Sequence, residues 1–206
     1  VRVLAEIPAR PSPDLRAGTL RRGDLEAYGR LLEALAGARS VLIAGDGLGR
    51  HGAVVGLAAA AAAAGTRTAL LECELEAPAL ADALGLATAP GLHEYLRGAA
   101  EAEQILKPVA LAGPGSGEAS DPLVCVVAGR PAGGAAALLD SERFRHAVAG
   151  LRDAYELLVV DGPAPRPDPA PLTAVAAEVD TVLAWAGPDA APPGLPVAVT
   201  GLVVQS

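Results

Sequence analysis

The sequence predicts an α/β fold, a mostly parallel sheet with helices on both faces. Three observations carry this. Short apolar runs recur along the chain, helical segments alternate with them, and the runs are continuously apolar rather than alternating, as in strands covered on both sides. A chain of 206 residues suffices for one sizeable domain. We read residues 1–23 as an extended lead-in and 24–206 as a single domain.

The lead-in is rich in Pro and Arg and shows no sustained periodicity. A helix is expected next, in "DLEAYGRLLEALA", with Asp24 as its N-cap and Leu25, Tyr28, Leu31, Leu32 and Leu35 at helical spacing. The strand-like runs are "SVLIA", "TALLE", "LVCVVA", "LLVVD", "DTVLAWA" and "VAVTGLVV", each bounded by Gly, Pro or a charged residue. Helices are expected at Gly52 to Ala64, Ala79 to Leu84, Leu92 to Arg97, Ser141 to Tyr155 and Leu172 to Ala177. "LAGPGSGEASDP" reads as a surface loop. "GPDAAPPGLP" stands where a crossover helix would be, so the last strand either follows a short crossover, lies at an edge or runs antiparallel.

Composition excludes several classes. A net charge of −8 disfavours nucleic acid as a partner, because phosphate backbones reward a basic surface. The two cysteines, Cys73 and Cys125, fall in apolar runs without disulfide or zinc spacing, which suits a reducing, cytoplasmic setting. No apolar stretch is long enough to span a bilayer, and the first residues lack a signal-peptide core. Met is absent even at position 1, so a domain cut from a longer chain or a non-standard start is expected.

The chemistry concentrates at "VLIAGDGLGRHGAVVG", a strand, a glycine-rich turn and a helix. Gly45, Gly47, Gly49 and Gly52 place backbone N–H groups at a helix N-terminus, the construction of a phosphate-binding loop. Such loops carry Lys followed by Ser or Thr, for the terminal phosphates and Mg²⁺. Here Arg50 and His51 stand in those places: Arg50 keeps charge without the reach of an ammonium, and His51 is a poor substitute for a hard oxygen ligand. A glycine turn kept for packing and a weak phosphate site are both open readings.

Two further segments supply carboxylates. Glu72 and Glu74, two apart at the end of "TALLECE", are expected to share a side and face the loop. Asp161 ends "LLVVD", where α/β sheets gather ligand groups at their carboxyl ends. The three can hold Mg²⁺; equally, Arg50 can fold into them as an internal ion pair and fill the metal position.

The order of the glycine-rich turn, "ALLECELEAPALADALGLATAPGLHEYLRG" and "LLDSERFRHAVAGLRDAYELLVVDGPAP" resembles the cytoplasmic ATPase domain of bacterial tyrosine kinases that regulate capsular and exopolysaccharide synthesis. More distantly it is similar to septum-site and plasmid-partition ATPases. "VLAEIPA" resembles the family's lead-in strand. The resemblance implies a P-loop NTPase-like three-layer fold, ATP or ADP and Mg²⁺ as cofactors, and catalysis through Asp161 and Glu74. It also implies a membrane polysaccharide chain-length or assembly protein as partner, fused or separate, which would hold the domain at the inner face of the membrane.

The chain departs from that pattern at its functional positions. Arg50 and His51 replace the loop Lys and Ser/Thr, Glu72 and Glu74 replace two aspartates, and Glu76 replaces an Arg. Pro171 stands where an acid is expected, with Asp168 nearby, and only Asp161 is unchanged. Gln205 occupies the place of an Asn that reads adenine. The subunit-joining motif reads Glu26, Gly29 and Leu32, which weakens the implied homo-oligomer, and no tyrosine cluster follows the last strand. Retained framework with altered site is the pattern of a pseudokinase: a regulatory domain with weak or no nucleotide binding and no cofactor requirement. The alternative is an active kinase or ATPase with an atypical loop.

Overall fold

The computed structural model describes residues 2–7, 22–45, 49–109, 123–131, 133–187 and 194–205. In chain order its strands are β1 (Val3–Ile7), β2 (Ser40–Gly45), β3 (Thr68–Glu72), β4 (Lys107–Val109), β5 (Leu123–Val126), β6 (Leu157–Asp161), β7 (Thr181–Ala186) and β8 (Gly201–Gln205). The helices are α1 (Arg22–Ala34), α2 (Gly49–Ala63), α3 (Leu80–Leu84), α4 (Leu92–Leu96), α5 (Ala102–Ile105), α6 (Ala135–Leu139), α7 (Glu142–Ala154) and α8 (Ala170–Ala176). The sheet order is β1-β8-β7-β2-β6-β3-β5-β4, parallel except for the β4–β5 pair.

Continuous apolar strands are explained by what covers them. Val41 and Ile43 of β2 face one layer, with α1, α2 and α3, while Leu42 and Ala44 face the other, with α4 to α8. Helix α2 is apolar nearly all round because it is wedged between the sheet and α1. Its small side chains let it lie close: a Cβ on Gly56 would come within 2.2 Å of the Tyr28 ring. Helix α7 begins as its sequence dictates, with Ser141 Oγ accepting from the Phe144 N–H at 3.2 Å and Phe144 driven into the core.

The six expected strands and six expected helices are present, with small shifts at their ends. Helix α1 starts at Arg22, so Asp24 lies within the helix rather than at the position before it. The last strand is neither at an edge nor antiparallel. It lies between β7 and β1 and pairs parallel with both, leaving β1 at the edge. Strand β4 and helices α5 and α6 had no clear signal, being three to five residues long. The loop read in "LAGPGSGEASDP" and much of "GPDAAPPGLP" lie outside the described residues.

Candidate functional site

Strand order decides what meets at the carboxyl edge of the sheet. The chain leaves β2, crosses through α2 and returns as β3, and β6 slots between the two. Gly45, Asp161 and Glu72 therefore end three adjacent strands, with Glu72 in register with Asp161. The first turn of α2 stands over them.

Asp161 is fully buried, and both of its oxygens face α2. Arg50 Nε lies 3.1 Å from Oδ1, close enough for an ion pair though not aligned as a hydrogen bond. The same guanidinium donates from Nη1 to the Gly45 carbonyl at 3.0 Å. His51 Nδ1 lies 2.6 Å from Oδ2. Arg50 is 3% exposed and the His51 side chain 18%, so the cluster is largely withdrawn from water. A buried carboxylate without partners would cost several kcal/mol, which explains why both residues turn inward.

The two glutamates are drawn to different partners. Glu72, also fully buried, accepts from the backbone N–H groups of Ala79 and Leu80 at 2.6 and 2.8 Å and of Ala128 at 2.8 Å. It ties the start of α3 and the end of β5 to β3. Burial pushes its carboxyl above the usual range, against those three N–H groups and with some help from the charge of Asp161. Glu74 accepts from Ala164 N at 2.8 Å and from Arg166 Nη2 at 3.0 Å. Arg166 also pairs with Glu76, so its fork straps the segment after β6 to the turn after β3.

Arg166 had no signal in the sequence, since a lone Arg among prolines in "GPAPRPDPAP" marks only a loop. Asp168 does not enter the site; its Oδ1 accepts from Ala170 N at 3.0 Å, at the start of α8. Gly47 lies outside the described residues. Gly45 has φ of 155°, and a Cβ there would lie 2.4 Å from the Trp185 carbonyl oxygen, so only glycine permits the turn beside β7. A Cβ on Gly49 would meet Gln205 Oε1 at 2.7 Å and Trp185 at 2.9 Å, which sets Gln205 against the start of α2. The Gly52 carbonyl accepts from Tyr28 at 3.3 Å. Cys73 is buried beside the acids, and burial followed by the charges of Asp161, Glu72 and Glu74 pushes its thiol far up, away from thiolate chemistry. Among the described residues no three His, Cys, Asp or Glu side chains form a metal-holding group, and no helix is long and apolar enough to cross a membrane.

A mostly parallel sheet with helices on both faces, a helix that begins shortly after a strand-end glycine, and an Asp ending the neighbouring strand give a P-loop NTPase-like α/β fold. No family model matches the chain, and no curated protein matches its sequence. Solved structures do match its fold. The chimerical protein CapA2B2 is 16% identical with a TM-score of 0.81, over 98% of this chain and 93% of that one. The kinase domain of Escherichia coli tyrosine kinase ETK is 18% identical with a TM-score of 0.79, over 100% of this chain and 90% of that one. The septum site-determining protein MinD from Pyrococcus horikoshii, complexed with Mg-ADP, is 17% identical with a TM-score of 0.59, over 73% of this chain and 58% of that one. The chain thus has the fold of the ETK tyrosine-kinase domain and, with a lower score, shares that of the septum site-determining protein.

Proposed function

We propose that this chain is a pseudokinase-like regulatory domain that binds nucleotide weakly or not at all and serves a membrane polysaccharide chain-length or assembly protein. One observation carries the reading: the strand-end Asp161, which an active site would lend to Mg²⁺, has both oxygens engaged by Arg50 and His51. As arranged, this donor set does not suit Mg²⁺. A hard divalent cation needs carboxylate or hydroxyl oxygens, and here it would meet a guanidinium and an imidazole. Glu74 is similarly engaged by Arg166.

Phosphoryl transfer depends on positioned charge and metal, so a site without them loses most of its rate while the fold is kept. The likeness to the ETK kinase domain over the whole chain supports the framework half of this reading. The polysaccharide partner rests on the sequence resemblance. The test is turnover of radiolabelled ATP with Mg²⁺, alone and with a tyrosine-rich acceptor polymer. Neither hydrolysis nor phosphotyrosine above a protein-free blank is expected; turnover abolished by Asp161→Ala would favour an active kinase or ATPase.

A further inference from the structure

We infer that Arg50 is the resident cation of Asp161 and, with the His51 imidazole on the other oxygen, holds the position a divalent metal would otherwise take. The inference deepens the functional reading above and rests on it. Its ground is the division of partners among the acids. Asp161 has a guanidinium 3.1 Å from one oxygen and an imidazole nitrogen 2.6 Å from the other. Glu74 has Arg166 and the N–H groups of Glu76, Ala77 and Ala164, and Glu72 spends its oxygens on three backbone N–H groups. No carboxylate of the set is left to recruit a metal.

The two partners of Asp161 are also placed by the chain itself. Both stand in the first turn of α2, whose start is pressed against Trp185 and Gln205. The Gly45 carbonyl accepts from the same guanidinium that faces Asp161. Arg50 is therefore gripped from two strands, β2 through Gly45 and β6 through Asp161. Removing one charge of such a buried pair strands the other, whereas removing both relieves the penalty. A metal site makes the opposite demand: losing Arg50 would free Asp161 and cost the empty protein little.

The experiment uses the whole chain without nucleotide. Thermal melts of Arg50→Met, Asp161→Asn and the double variant form a cycle, and the loss of the free Mn²⁺ spin-resonance signal reads metal uptake by the wild type. Each single variant is expected to melt lower, the double variant to lose less than the sum of the two, and the wild type to take up no Mn²⁺. Additive losses, or wild-type uptake that Asp161→Asn abolishes, overturn the inference. If Arg50→Met does not fold, the His51→Ala and Asp161→Asn cycle is read the same way. ATP turnover would sink the functional reading whatever the cycle gives, and an additive cycle would sink this inference with turnover still absent.

Discussion

Three buried acids at one sheet edge solve the same problem in three ways. Asp161 is met by side chains, Glu74 by an arginine and backbone N–H groups together, and Glu72 by backbone N–H groups alone. The last is the least visible in a sequence, because nothing in "TALLECE" marks which carboxylate meets backbone far along the chain. The spacing of Glu72 and Glu74 suggested a shared role at the loop; the structure instead makes Glu72 a tie between α3 and β5. Charged hydrogen bonds contribute about 1.5 to 3 kcal/mol each, and orphaned buried donors cost a similar amount. Since the three bonds share one group and do not add, Glu72→Ala is expected to lower unfolding stability by about 3 kcal/mol. Glu72→Gln, which keeps acceptor oxygen, is expected to lose less. Urea melts decide it: an unchanged midpoint in Glu72→Ala would remove the tie from the account.

Elements show a similar division between what periodicity reveals and what it hides. The long helices and central strands were legible because apolar spacing repeats over many residues, as in α7 and β2. Strand β4 was not, because "KPV" is too short to carry a period and Pro108 is an edge-strand residue. The placement of β8 was also hidden, since pairing partners are a property of the whole sheet. At the opposite end of the sheet from Asp161, Asp180 joins the starts of β2 and β7. It accepts from the Arg39 and Ser40 N–H groups at 3.0 Å each and pairs with Arg152 at 2.6 Å. Partial burial works against its charge, but these bonds and Arg152 outweigh it and hold the carboxyl below its usual range. A depressed carboxyl stabilises the fold above its unfolded value, near 3.8, and that contribution is lost as pH falls further. Asp180→Asn is therefore expected to destabilise the protein at neutral pH and to flatten its acid-side decline below about pH 4. Parallel curves for variant and wild type would show that Asp180 is not a linked group.

For the molecule as a whole, framework and site separate cleanly. The apolar order of strands and helices carried the fold, and the resemblance to polysaccharide-regulating tyrosine kinases anticipated the likeness to the ETK kinase domain. What the site does with its residues needed coordinates. Arg50 and His51 were visible as substitutions in a phosphate loop, yet only the crossing of α2 over β6 brings both onto Asp161. Arg166 was invisible, because its partners lie 90 and more residues away in the chain. On this reading the site supplies its own cation. Calorimetric titration with ADP, with and without Mg²⁺, tests it most directly. Weak or absent heat that Mg²⁺ does not change is expected; micromolar binding that requires Mg²⁺ and vanishes in Asp161→Asn would mean that Asp161 still serves a metal.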